Sequence, residues 1–208
     1  MKRSRAPERL RTLVIATANA GKLEEFQALL AGLPFVPVSQ SSLGVPSPAE
    51  TGTSFAANAL IKARHAAAAS GEAAIADDSG LEVDALDGAP GIYSARYAGE
   101  GAGDAANNAK LIAALAGLPV SSRRARYRCA LVYVDGPDDP RPLEAEGLWE
   151  GLILDAPRGS GGFGYDPYFW LPERRATAAE LPADEKNRLS HRGRALAALR
   201  ERLETRVR

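Results

Sequence analysis

Ala76-Asp77-Asp78-Ser79-Gly80 sets two carboxylates side by side, directly after a short apolar run at 73–76. Adjacent negative charges at a strand end repel each other and lose hydration unless a cation or a set of donors satisfies them. A divalent metal is the economical partner. Magnesium suits a sparse acidic set, because it takes one or two carboxylates and fills its other positions with water and phosphate oxygens. Glu50, in Glu50-Thr51-Gly52, is a second acid for such an ion. The same residues admit a plainer reading, in which one aspartate shapes a turn with Ser79 and Glu50 is a loop acid. A closed zinc site is excluded, since the chain has one cysteine, Cys129, and two histidines.

Three further groups of residues suit a phosphorylated, planar ligand. Thr17-Ala18-Asn19-Ala20-Gly21-Lys22 falls where a strand passes into a helix, so free backbone amides and the helix dipole face outward at an anion, with the Lys22 charge beside them. It lacks the glycine spacing and the Ser or Thr of a Walker A loop, and an ordinary capped turn has the same composition. Asn58 and Lys62 lie four apart on a predicted helix and share a face, from which Lys62 can reach a phosphate or simply meet solvent. Gly161 to Pro167 presents Phe163 and Tyr165 around Gly164, able to stack on a base while Asp166 accepts from ring nitrogens, or to pack inward as a plain loop.

Lys186-Asn187-Arg188-Leu189-Ser190-His191-Arg192 is the last group. At 100° per residue Lys186, Asn187, Ser190 and His191 share a face opposite Leu196, Leu199 and Leu203, but Arg192 then falls toward the apolar side. The conflict disappears if Ser190 caps a new helix whose first turn holds His191 and Arg192. His65 reads as a helix-surface residue.

These side chains need strands and helices to carry them. Apolar runs predict strands at 13–17, 35–38 and 73–76, a strand and turn over 81–90, and long strands at 125–134 and 143–154. Tyr127, Cys129, Leu131 and Tyr133 share one side of the strand at 125–134. Helical spacing covers Leu23, Phe26 and Leu30 up to Gly32, and it recurs over 104–115. The alanine-rich span 55–69 reads as a helix with Ser54 as N-cap and Ser70-Gly71 as its stop. Thr177 and Glu180 form a capping box ahead of a long C-terminal helix. Strands and helices are interspersed, which predicts an α/β or α+β protein with a mixed sheet covered by helices. With no repeat and no linker, residues 12–208 read as one domain behind a flexible basic tail at 1–11.

The 208 residues are 45% hydrophobic, ample for a core, and Lys plus Arg equal Asp plus Glu at 26 each. No global positive field exists to draw the protein onto nucleic acid or an anionic membrane, so an anionic ligand must be held by local chemistry. A lone cysteine makes no intrachain disulfide, and no apolar run approaches the ~20 residues of a membrane helix. The expectation is a cytoplasmic protein acting on a small molecule.

In order, TANAGK at 17–22, ETG at 50–52, NALIKA at 58–63, ADDSGLEVDALDGAPGIYSARYAG at 76–99, GGFGYDP at 161–167, TAAEL at 177–181 and KNRLSHR at 186–192 resemble the inosine-triphosphate pyrophosphatase family over nearly the whole chain. That resemblance implies an α/β fold with an elongated mixed β-sheet flanked by helices, two lobes with a nucleotide cleft between them, a homodimer and required Mg²⁺. It implies hydrolysis of noncanonical purine nucleoside triphosphates, ITP, dITP and XTP, to the monophosphate and pyrophosphate, which keeps them out of DNA and RNA. By the same carry-over Glu50 and Asp78 hold the metal, and Asp78 or a carboxylate beside it activates water for attack at the α-phosphorus. Lys22, Lys62 and the amides around Thr17 and Asn19 meet the phosphates, Ser79 also binds substrate, and Phe163, Gly164, Tyr165, Asp166, Lys186, His191 and Arg192 form the base site. Ala18 and Ala57 depart from the pattern, the latter replacing a glutamate before Asn58. The septum-inhibitor-like pyrophosphatases are a competing group, opposed by the Ser-His-Arg and GGFGYDP segments. A nucleotide-binding protein without turnover finds support in Ala57 alone.

Overall fold

The computed structural model describes residues 10–17 and 20–207. Asn19 and most of the basic tail lie outside them. Arg11, counted above with the tail, instead opens the first strand and pairs with Asp135 at 3.1 Å.

In chain order the elements are β1 (Arg11–Ile15), α1 (Ala20–Leu30), β2 (Phe35–Ser39), α2 (Phe55–Ser70), β3 (Ala73–Val83), α3 (Asp104–Ala114), β4 (Arg124–Val134), β5 (Leu143–Ile153), β6 (Phe169–Leu171), β7 (Ala176–Thr177), α4 (Ala183–Leu189) and α5 (His191–Val207). The sheet runs β2-β1-β3-β4-β5-β6-β7. β2, β1 and β3 are parallel, and every later pairing is antiparallel. The fold is thus the expected mixed sheet flanked by helices.

The helix boundaries follow local chemistry. Ser54 accepts from Ala57 N at 3.2 Å, and Gly71 closes α2 in the left-handed region at φ 73°. Ala57 is the third residue of α2, where a glutamate would close a capping box with Ser54. Ser190 accepts from Gly193 N at 3.1 Å, which makes it the N-cap of α5 and breaks the C-terminal helix as the Arg192 conflict required. The Thr177–Glu180 capping box is present, but it caps a single 3₁₀ turn, Ala178–Glu180, and not the long helix.

Burial divides the sheet along its strands. At one end Leu13, Ile15, Ile75, Leu131 and Tyr133 meet Phe26 of α1 and Leu196, Leu199 and Leu203 of α5. On the opposite face Val14, Ala74, Ala76, Val132 and Val134 meet the small side chains Ala59, Ala63, Ala66 and Ala67, which let α2 lie close. At the other end Leu81, Val83, Tyr127, Trp149, Ile153 and Phe169 enclose Leu111 of α3 and Leu115 just after it. Between these cores the strands carry polar side chains, and the site lies there.

Candidate active site

β3 does not stop before the aspartates, as the sequence suggested. It continues through Asp77, Asp78, Ser79 and Gly80 to Val83, paired with β4 throughout. The pairing register overrides the low strand preference of Asp, Ser and Gly. Because strand side chains alternate, the two carboxylates leave on opposite faces: Asp77 with Ile75 toward α1 and α5, Asp78 with Ala76 toward α2. β1 pairs with β3 only as far as Ile75, so it no longer flanks β3 beside the aspartates. That gap lies at the carboxyl end of β1, where the order switches from β2 on one side to β3 on the other, the usual crevice for ligands in parallel sheets. Gly80 is required here, since a Cβ would stand 2.4 Å from Gly91 O and 2.5 Å from Ser94 Oγ.

On the α2 face, Lys62 Nζ lies 2.8 Å from Asp78 Oδ1 and 3.0 Å from Glu50 Oε1. Arg96 Nη1 holds the other Glu50 oxygen at 3.0 Å. Asn58 donates to Asp78 Oδ2 at 3.2 Å and accepts from Gly52 N at 2.8 Å, tying the Glu50 loop to the aspartate. Lys62 is therefore buried and paired, not solvated. Burial raises the Asp78 carboxyl above its ordinary value, and Lys62 offsets only part of that. Burial pushes Glu50 the same way, but Lys62 and Arg96 outweigh it and hold Glu50 low. Asp78 is thus the better proton acceptor and Glu50 the more firmly ionised acid.

Two carboxylate oxygens within 3.0 Å of one ammonium nitrogen show that Glu50 and Asp78 can face a common cation. Among the described residues no three His, Cys, Asp or Glu side chains converge as a metal cage. This sparse donor set fits magnesium, whose other ligands are water and phosphate, and does not fit an all-protein site.

On the other face the charges alternate in sign. Asp77 is 2.8 Å from Lys22 and 3.3 Å from Arg192, and it accepts from Ser79 Oγ at 2.9 Å. Burial would raise Asp77, yet Lys22 and Arg192 hold it far below the usual carboxylate range. Arg192 also contacts Glu25 and donates to Ser79 Oγ at 3.1 Å. Lys186 pairs with Asp166 at 2.8 Å and with Glu25 at 3.5 Å. The two aspartates meet their cationic partners on opposite faces, Lys22 and Arg192 for Asp77 and Lys62 for Asp78, and Asp77 Oδ1 is left buried without a hydrogen-bond partner among the described residues.

A cavity opens beside this chain, lined by Lys22, Ser79, Phe163, Lys186, His191 and Arg192. Phe163 lies across the two cations, its ring centre 4.8 Å from Lys186 Nζ and 5.8 Å from Arg192 Cζ. Asp166 is filled by donors from Lys186, Phe163 N at 2.9 Å and Tyr127 OH at 3.1 Å, which leaves it positioning its neighbours more than reading a base. Tyr165 turns inward and donates to Ser94 O at 2.8 Å, so of the two loop aromatics Phe163 is the more open. His191 stacks on Tyr127 at 4.7 Å and 10°, and burial, then Arg192, keeps its imidazole neutral. Gly164 borders the same cavity, and Thr17 is buried at the end of β1. His65 meets Pro46 O at 2.9 Å, away from these groups.

Glu25, Arg96 and Tyr127 belong to the site and escaped the sequence reading. Glu25 left one trace, its spacing of three from Lys22, which puts both on one helical face. Arg96 and Tyr127 left none, because their partners are 46 and 39 residues away.

Lys22 combines a charge with a place at the cavity. Lys22→Ala is expected to weaken triphosphate binding by about tenfold to a hundredfold, the worth of one charge-assisted contact, and binding of the free nucleoside far less. Calorimetric titration with both ligands checks this. Equal losses would move Lys22 out of the phosphate site.

The Ham1 family model matches residues 13–202. A dITP/XTP pyrophosphatase of Xanthomonas oryzae pv. oryzae is 57% identical over 194 residues, 93% of this chain and 98% of that protein. The dITP/XTP pyrophosphatase of Thioalkalivibrio sulfidiphilus is likewise 57% identical over 194 residues, covering 93% and 99%. The structure of a HAM1 protein from Coxiella burnetii superposes with a TM-score of 0.87 at 46% identity, over 94% of this chain and 99% of the other.

Proposed function

The chain belongs to the Ham1 family, and on that premise we propose how its residues carry out the family's reaction. It is a nucleoside-triphosphate pyrophosphatase that hydrolyses noncanonical purine nucleoside triphosphates such as dITP and XTP to the monophosphate and pyrophosphate. The observation that carries the residue assignment is the pair of faces around Asp77 and Asp78: a cation-lined base cavity on one, and a proton-accepting carboxylate beside a second acid on the other.

In this proposal Asp78 orients a water molecule and takes its proton as the oxygen attacks the α-phosphorus. Glu50 and Asp78 would hold Mg²⁺, which when bound neutralises phosphate charge. Lys22 and Lys62 stabilise the charge that builds on the departing pyrophosphate, with Thr17 and Asn19 proposed beside them. No covalent intermediate is required. Phe163 stacks on the base, and Arg192, Lys186 and His191 supply donors to its C6 oxygen.

A homodimer acting in the cytoplasm on the free nucleotide pool completes the proposal, resting on the family resemblance alone. Light scattering after gel filtration checks the dimer. The decisive assay follows product identity: with Mg²⁺ and dITP the chain should release pyrophosphate and dIMP, and with dATP far less. Release of orthophosphate alone, or equal rates on both nucleotides, would overturn the reading.

A further inference from the structure

α3 begins with an acid that does not serve its own helix. The cap is Gly103, with no side-chain cap hydrogen bond. Asp104 Oδ2 instead accepts from Gly164 N at 2.7 Å, sixty residues along the chain. One helical turn later Asn108 donates to Gly164 O at 2.9 Å and to Asp104 O at 2.9 Å. Both polar groups of Gly164 are thereby held by side chains of α3. Gly164 sits at φ 62°, a conformation that favours glycine, and the clamp fixes it there. Between Asp104 and Asn108, Asn107 accepts from Ala98 N at 2.7 Å and donates to Ala95 O at 3.1 Å, so the same helix also holds the facing wall of the cavity.

What the clamp carries is Phe163. The amide of Phe163 is bound by Asp166, the N–H of the next residue, Gly164, by Asp104 and the Gly164 carbonyl by Asn108, and the Phe163 ring covers Lys186 and Arg192. Discrimination against a purine with an amino group at C6 depends on buried donors being left unpaired, and that penalty exists only while water cannot reach them. A cover that swings aside lets water satisfy the donors and cancels the penalty.

We infer that Asp104 and Asn108 are specificity-determining positioning residues, which clamp the Gly164 peptide so that Phe163 seals the base donors from water. The inference rests on the proposed function for its substrate pair, dITP against dATP. Neither residue touches the reacting phosphates, so the effect falls on selectivity and not on the chemical step.

The test compares the parent chain with Asp104→Ala, Asn108→Ala and Asp104→Asn. Each alanine variant should lower the ratio of kcat/KM for dITP over dATP by about tenfold, chiefly by raising dATP turnover. Asp104→Asn keeps an acceptor oxygen and should stay within about twofold of the parent ratio. Amide hydrogen exchange over residues 161–167, with no nucleotide present, reads the clamp itself and should quicken in the alanine variants only. Unchanged exchange overturns the clamp. Quickened exchange with an unchanged ratio, or equal losses on both nucleotides, overturns its role in selectivity. A parent chain that releases no pyrophosphate from dITP overturns the proposed function instead, and the exchange result still decides the clamp.

Discussion

Asp78→Asn is expected to abolish pyrophosphate release while the chain stays folded. The substitution removes a proton acceptor and a carboxylate facing the common cation position in one step, and each loss alone costs on the order of 10²-fold or more. The volume is unchanged, and Asn offers Asn58 an amide oxygen in place of the carboxylate it now meets at 3.2 Å. Lys62 keeps Glu50 at 3.0 Å, so no buried ammonium is stranded. Stability should therefore fall by only about 1–3 kcal/mol, the worth of a charged hydrogen bond. The check is pyrophosphate release at saturating Mg²⁺ beside a thermal melt. More than a few per cent of parent activity would remove Asp78 from the chemistry, and a lost cooperative melt would show that the residue is needed for the fold.

The legibility of this site in the sequence followed the range of the interactions. Ser190 could be read as a cap because its bond partner, Gly193, is three residues away and the Arg192 conflict demanded a break. Ser54, Gly71 and the long strands β4 and β5 were legible for the same local reason, as apolar periodicity and turn chemistry. β3 was not. Its middle is Asp-Asp-Ser-Gly, which by propensity ends a strand, and only register with Leu131, Ala130, Cys129 and Arg128 of β4 carries it on. Misreading that continuity hid the larger point, that the pleat sends Asp77 and Asp78 to different partners. Beyond its spacing from Lys22, the pairing of Glu25 was not legible because Arg192 is 167 positions away, nor was the role of Asp104, because a first-turn acid ordinarily reads as a response to the helix dipole.

Arg192→Ala is expected to cost a large part of the molecule's stability, so base selectivity needs a second variant at this position. Arg192 is 2% exposed and joins Glu25, Asp77 and Ser79. It forms ion pairs with both of those acids. Its removal leaves Asp77 with Lys22 and Glu25 with a longer contact to Lys186, each short of a buried counter-charge. Breaking a buried pair from one side costs about 3–5 kcal/mol. For a chain of this length that lowers the melting temperature by roughly 10 °C. A fall in dITP turnover in this variant would therefore mix unfolding with lost recognition. Arg192→Lys separates them, because it keeps the positive charge between Asp77 and Glu25 but loses the planar fork that meets several acceptors at once. The lysine variant should melt well above the alanine variant and still compress the dITP to dATP ratio of kcat/KM by about tenfold or more. An unchanged ratio in a folded lysine variant would place Arg192 in the scaffold alone, leaving Lys186 and His191 to read the base. An alanine variant that melts within a degree or two of the parent would instead show that Lys22 and Lys186 suffice to hold the buried acids.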